Sequence, residues 1–379
     1  MTQGLDWAKR LYQNRDQRAR ELRNEGKKVM GYICCQPPVE MITAAGMVPY
    51  RIMGTLEPIT EADAYLETLM CPYVRSCFDL GIKGKYDFVD GVVWPHTCDN
   101  IQKTSDIWKH YIPHSYFQYL EVPHMTDSSA FEFFSAELRV LMESLEEYAG
   151  VKITEERLKE AIKVHNESRT LLRKLSSLRK QDPPLISGTE MTQVLIAAMS
   201  IPVTECNEML SNIIREVQTR KDGPQKAARL LLYGSEIDDI AFINLVEGCG
   251  ANVVIDDLCI GTKHYWKDVA TDGNPLKNLA DHYLGEVMCP RTFRRSPGTR
   301  QQDLDNRFGY IRDFAKEFNV SGAILYIIRY CDTFEFDAPE VRDYLQEMGI
   351  PVLHMEDDYS LTSIQGFKTR IQAFLEMMD

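Results

Sequence analysis

Ten cysteines run through the 379 residues, and it is their placement that can do chemistry. Cys34 and Cys35 directly follow the apolar run 29–33, Cys71 opens Cys-Pro-Tyr, and Cys98 comes four residues after Trp94, just past another apolar run. In the second half Cys259 follows Ile255-Asp256-Asp257-Leu258, Cys289 sits in Met288-Cys289-Pro290-Arg291, and Cys331 lies three residues after Ile328. Each half thus offers three stations. Cys98 and Cys331 are equivalent: an apolar run, a polar residue or two, then Cys-Asp and a helical pattern whose start Asp99 or Asp332 is expected to cap. Thiolates at strand ends beside helix N-termini suit a soft metal, because the helix dipole lowers their pKa and favours anionic sulfur. Soft thiolates select zinc, copper(I) or iron–sulfur clusters.

Zinc ribbons and fingers bring closely spaced Cys-x-x-Cys pairs, and the chain has none. Ligands scattered from position 34 to position 331, one per strand end, suit a cluster bridging two domains better than a structural zinc. Cys77, on a helix begun near Pro72, Cys206 in a helical connection, and Cys249 between Gly248 and Gly250 read as small buried hydrophobes. His96 stands beside a proposed ligand, so proton donation or a hydrogen bond to a cluster competes with a packed or solvated role. No Gly-x-x-x-x-Gly-Lys-Ser/Thr loop, dinucleotide fingerprint, His-Glu-x-x-His or Gly-x-Ser-x-Gly is present, which argues against an ATPase or pyridine-nucleotide enzyme in this chain.

The elements that must carry these stations alternate. Residues 1–27 read as a surface helix. Short apolar runs at 29–33, 48–52, 88–94 and 116–122 are separated by helical stretches, which predicts βαβ units and a parallel sheet. A helical pattern over 128–180 ends at Asp182-Pro183-Pro184, where proline stops a helix, and a mostly helical segment continues to about position 226. Runs at 229–233, 252–256, 322–328 and 351–355 repeat the plan. The expectation is α/β: two flavodoxin-like domains with four-stranded parallel sheets, joined by a helical connection, with 1–184 and 185–379 as the domains. Ligands in such sheets sit beyond the carboxyl ends of the strands.

Composition is that of an ordinary globular protein, 44% hydrophobic and 26% charged. No apolar run approaches the ~20 residues of a membrane helix, and the charged start lacks a signal peptide's apolar core, so a cytoplasmic protein is expected. A net charge of −13 argues against nucleic acid as a partner. In a reducing compartment the cysteines do not read as a disulfide framework.

Five pieces, in order over nearly the whole chain, resemble the benzoyl-CoA reductase and 2-hydroxyacyl-CoA dehydratase family. They are Pro38-Val39-Glu40 with Ala44-Ala45-Gly46-Met47-Val48-Pro49, Cys71-Pro72-Tyr73-Val74-Arg75-Ser76, Gly91-Val92-Val93-Trp94-Pro95-His96-Thr97-Cys98-Asp99, Asp256-Asp257-Leu258-Cys259-Ile260-Gly261-Thr262, and Tyr330-Cys331-Asp332 with Phe336-Asp337-Ala338-Pro339. The resemblance implies an iron–sulfur subunit paired with a homologous sister subunit or with itself as a homodimer. Electrons would come from ferredoxin through a separate ATP-hydrolysing iron–sulfur activator and pass singly to an acyl-CoA. In the family's dehydratases one electron makes a ketyl radical that expels a β-hydroxyl; in its reductases electrons add to an aromatic ring.

Cys71, Cys98 and Cys331 match the three ligands that recur in these subunits, enough for a 4Fe-4S cubane. The further Cys34 or Cys35, Cys259 and Cys289 resemble the double-cubane branch, where six cysteines bind an 8Fe-9S pair of sulfide-bridged cubanes and small molecules are reduced. Cys34, four residues before Pro38, matches that branch's spacing and is preferred over Cys35. Phe336-Asp337-Ala338-Pro339 is closer to the reductase and dehydratase side. Two other readings stand beside these: an electron-transfer subunit without its own substrate site, and a structural or zinc-binding α/β protein.

Overall fold

The structure is a computed structural model, described over residues 4–221, 223–294, 296 and 298–378. The first residues of the expected N-terminal helix, 1–3, and the last residue of the second expected domain lie outside the described residues. Among the described residues eight strands form two sheets. The first holds β1 (Val29–Tyr32), β2 (Val48–Arg51), β3 (Gly91–Pro95) and β4 (Tyr116–Leu120) in the order β2-β1-β3-β4. The second holds β5 (Ala228–Gly234), β6 (Ala251–Asp257), β7 (Gly322–Ile328) and β8 (Val352–Asp357) in the order β6-β5-β7-β8. Every pairing is parallel. Each apolar run expected as a strand overlaps one, and the two flavodoxin-like sheets are copies of one plan.

Strands of such sheets are covered on both faces, which explains their unbroken apolar runs: β7, Gly-Ala-Ile-Leu-Tyr-Ile-Ile, is buried along its whole length. Gly234 ends β5 because a Cβ there would lie 1.9 Å from the Tyr326 carbonyl oxygen of the neighbouring strand. In both sheets the chain leaves the two middle strands in opposite directions, so a crevice opens at their carboxyl ends.

The N-terminal segment differs from the single surface helix expected. Two helices form, Leu5–Gln13 and Gln17–Asn24, with Ala8 and Leu22 buried. The first packs on the helices Gly188–Ala198 and Val203–Gln218 of the second half. The helical stretch 128–180 is broken after Ser128–Ala149 by Gly150, whose φ of 69° ends the helix in the left-handed conformation. Thr154 then starts Glu155–Ser177 by accepting from the Arg157 N–H. Beyond the double proline, Ser187 and Glu190 form a capping box that opens Gly188–Ala198. The crevices of the two sheets face one another, and between them lies the site.

Candidate metal centre

Cys34, Cys35, Cys71, Cys98, Cys259, Cys289 and Cys331 all line one internal chamber, together with Thr97, Glu236, Arg291 and the apolar side chains Val74, Ile101 and Ile328. All six cysteines expected at the stations are there. Cys77 is fully buried within the core, Cys206 is buried with its sulfur 3.5 Å from the Ser168 hydroxyl, and Cys249 ends the helix Ala241–Gly248. None of these three lines the chamber.

The backbone aims the thiols. Cys34 leaves β1 with φ 63°, and Tyr330 leaves β7 with φ 63° just before Cys331, both unusual for residues other than glycine. Cys71, Cys98 and Cys331 are themselves the N-cap residues of Pro72–Ile82, Asp99–Tyr111 and Asp332–Glu347. This corrects the expected caps. The chain turns from strand to helix at the cysteine, so Asp99 and Asp332 fall in the first helical turn, where they make no side-chain cap and act only through the dipole.

Three polar side chains bind the stations together. The Asn100 side chain accepts from the Cys71 N–H at 3.1 Å and donates to the Tyr330 carbonyl at 3.2 Å, joining stations of both halves. Arg291 clamps the Cys289 loop onto the end of β3, donating to the carbonyls of Thr97 at 2.9 Å and Val122 at 2.7 Å. Arg51 donates to the Cys34 carbonyl and, across the halves, to Glu236 at 2.9 Å. Sequence reasoning missed these residues, although Glu236 was within reach: it stands two residues past β5, where Cys34 stands two residues past β1.

Burial dominates the electrostatics. It pushes the Cys71 thiol up to about 12 even though the Val74 and Tyr73 N–H groups favour its thiolate. It also raises Cys34, Cys98, Cys259 and Cys331. The lowering expected from the helix dipoles is outweighed, since a thiolate in an apolar chamber has lost its water. Cys289 is the exception: the Cys35 thiol hydrogen-bonds it, drawing Cys289 down and Cys35 up. Glu236 is lifted to about 7 by burial, against the pull of Arg51.

His96 stands differently from the cysteines. Its imidazole is not part of the lining; Nδ1 lies 2.5 Å from Glu121 and the ring meets His124 edge-on at 5.1 Å.

The donor set tests which group fits. Seven soft sulfurs and a single carboxylate line a chamber whose walls are otherwise largely apolar, a poor site for a hard cation and a good one for iron and sulfide. Among the described residues no three His, Cys, Asp or Glu side chains are drawn together as they would be round one metal ion.

Fold and site together define a class: twin α/β proteins that gather cysteines from the strand ends of two parallel sheets into one chamber. The model of the family described as 2-hydroxyglutaryl-CoA dehydratase, D-component, matches residues 34–378. The chain belongs to this family. It is 30% identical over 353 residues to one of the subunits of benzoyl-CoA reductase from Thauera aromatica, covering 92% of this chain and 89% of that protein. It is 25% identical to the (R)-phenyllactyl-CoA dehydratase beta subunit of Clostridium sporogenes, over 95% and 94% of the two chains. With the beta subunit of (R)-2-hydroxyglutaryl-CoA dehydratase from Acidaminococcus fermentans the identity is 23%, over 93% of each. All three relatives are subunits of reductase or dehydratase enzymes. Among the described residues no helix is long and apolar enough to cross a membrane.

Proposed function

We propose that the chain is the iron–sulfur subunit of an ATP-dependent, low-potential acyl-CoA reductase or dehydratase. The observation that carries this is the convergence of seven cysteines from both sheets on one chamber. Cys71, Cys98 and Cys331 would hold the cluster from three helix N-termini, with Cys34, Cys259 and Cys289 on the remaining walls. A cluster held there would supply single electrons at very low potential, set by its charge, its hydrogen bonds and its burial. The chain's own part is to keep water out, to offer Arg51 and Arg291 as nearby positive charge, and to fix the sulfurs through Asn100. His96, oriented by Glu121, would donate protons outside the lining.

The family match supports a sister subunit or a second copy as partner. A ferredoxin-fed, ATP-hydrolysing activator would deliver the electrons and an acyl-CoA would receive them. Residues 1–184 and 185–379 would be the two domains. A double cubane, with reduction of other small molecules, is favoured specifically by Cys34, Cys259 and Cys289 sharing the chamber with the other three.

The test is iron and acid-labile sulfide analysis of protein purified without oxygen, repeated on Cys71→Ser, Cys98→Ser and Cys331→Ser. A hydroxyl cannot replace a thiolate at equal softness, so each variant should lose iron and electron uptake. Full iron in all three, or zinc without sulfide in the wild type, would overturn the assignment.

A further inference from the structure

Away from the cysteines, a cavity of about 410 Å³ lies between the N-terminal helices, the first sheet and the segment that follows β5. Its size falls in the ~300–1,000 Å³ range of small-ligand sites. Gln13 and Lys85 in its wall are exposed, so it is open to solvent, and it shares no lining residue with the cysteine chamber.

The carboxylates of the wall are already served. Asp238 receives the Gly54 N–H at 2.7 Å on one oxygen and the Tyr359 hydroxyl on the other. Asp239 receives the Ala241 N–H at 2.7 Å and the Tyr12 hydroxyl at 2.9 Å, again one on each oxygen. Asp16 pairs with Arg20 at 2.8 Å.

The donors are not served. Arg15 reaches only the Gly54 carbonyl, at 2.6 Å, and the Met53 sulfur, at 3.3 Å, and among the described residues it makes no ion pair. Lys85 Nζ has neither a hydrogen bond nor an ion pair among the described residues. Tyr50 is the sharpest case: it is 2% exposed, its ring meets Phe88 edge-on at 5.0 Å, and its hydroxyl has no hydrogen-bond partner among the described residues. Burial raises this phenol to about 12, so it keeps its proton and can donate, and Arg15 is near enough to oppose that rise. Buried polar groups are ordinarily paired. A buried hydroxyl left without an acceptor, beside two cations left without anions, is completed by an oxyanion, which accepts charge-assisted hydrogen bonds from all three.

We propose that this cavity binds a small organic oxyanion, a phosphate monoester or a carboxylate, with its anionic oxygens on Arg15, Lys85 and the Tyr50 hydroxyl and its body against Phe88 and Leu80. The walls come from both halves of the chain, so the bound molecule braces their junction and stays out of the chamber's chemistry. The site stands on these donors alone and does not require that the chamber hold metal.

The experiment uses the full chain, prepared without oxygen, in titration calorimetry with glycerol 3-phosphate and with glycerate, which share a short hydroxylated body and differ in the anionic group. At least one should bind in a salt-sensitive way, and the tighter of the two identifies the head group. Tyr50→Phe should weaken that binding about tenfold, the loss of one hydrogen bond to a charged group, and Lys85→Gln about threefold. Because the Tyr50 hydroxyl has no partner within the chain, Tyr50→Phe should leave the urea midpoint of the unliganded protein unchanged, which separates lost binding from a folding defect. The proposal is overturned if neither probe binds at up to about 10 mM, if either variant binds as the wild type does, or if Tyr50→Phe lowers that midpoint. Binding abolished by CoA would assign the cavity to the acyl-CoA and overturn it as well.

Discussion

Arg51 and Glu236 join the two sheets beneath the chamber: one guanidinium nitrogen lies 2.9 and 3.2 Å from the two carboxylate oxygens, and neither side chain is more than 5% exposed. The pair also ties together two cysteine stations. Arg51 holds the Cys34 carbonyl, and Glu236 hydrogen-bonds Cys259. Removing one member leaves a buried charge without its partner, at a cost of about 3–5 kcal/mol. Arg51→Met should therefore lower the urea midpoint sharply, while the double variant Arg51→Met with Glu236→Leu recovers part of the loss. Equal stability of the single variant and the wild type would remove the pair from any structural role.

A second buried network sets the response to acid. Glu40 receives Arg169 at 2.5 Å and Tyr283 at 2.7 Å, and His165 and His282 lie close by. Burial, helped by Arg169, depresses His165 from 6.5 to about 4 and His282 from 6.5 to about 3. A depressed folded pKa means that stability is complete above pH 6.5 and is lost as the pH falls toward the folded values. By pH 5 each histidine should cost about 2 kcal/mol. Glu40, held near 2 against burial mainly by Arg169, adds its own loss only below pH 4.5. Urea unfolding at pH 7 and pH 5 should show the fall, and His165→Gln should make it shallower. A stability unchanged over that interval would contradict this account.

Asn100 is expected to matter out of proportion to its size. Asn100→Ala removes the acceptor for the Cys71 N–H, which is buried, and the donor to the Tyr330 carbonyl, which is partly buried. The expected loss is about 1–3 kcal/mol for the groups left unsatisfied. Iron content should also fall, because Cys71 and Cys331 would no longer be held in fixed relation. Asn100→Asp, which keeps only the acceptor, should retain more iron than the alanine variant; equal loss in the two would show that the link to Tyr330 is the one that counts.

Strands and stations were legible for a simple reason. Buried parallel strands must be continuous apolar runs, and ligands follow their carboxyl ends, so 322–328 followed by Cys331 announces itself. The pKa directions were not legible: Cys-Asp before a helix places Cys98 at a helix start, although Asp99 was expected as the cap, but the enclosure that outweighs the dipole comes in part from the other half of the chain. Asn100, Arg51 and Arg291 were hidden for the same reason. A lone polar residue gives no sign of a partner hundreds of positions away. The break at 14–16 in the N-terminal helix was missed because the polar run 13–18 holds no proline or glycine to mark a stop.

The three cysteines outside the chamber should be dispensable for metal. Cys77→Ala, Cys206→Ala and Cys249→Ala are each expected to leave the iron-to-protein ratio unchanged. Cys77→Ala should still cost about 1 kcal/mol, since its sulfur is packed fully in the core. Iron lost from a variant that remains folded would move that cysteine into the ligand set.

The last prediction concerns how much iron the chamber takes. Cys71, Cys98 and Cys331 together are sufficient for one four-iron cubane with a fourth ligand of another kind, and on that reading Cys34, Cys259 and Cys289 would be bystanders. Their positions argue otherwise. Cys259 stands two residues past β6, Cys34 takes a left-handed backbone to enter the lining, and Arg291 holds the Cys289 loop against the opposite sheet. Cys35 shares the wall and hydrogen-bonds Cys289, so Cys34→Ser and Cys35→Ser must be compared directly. We expect about eight irons per chain, two cubanes with three cysteines each and one bridging sulfide. Cys34→Ser, Cys259→Ser and Cys289→Ser should each reduce that number and Cys35→Ser should not. About four irons, unchanged in Cys259→Ser and Cys289→Ser, would establish a single cubane and return the extra thiols to the wall.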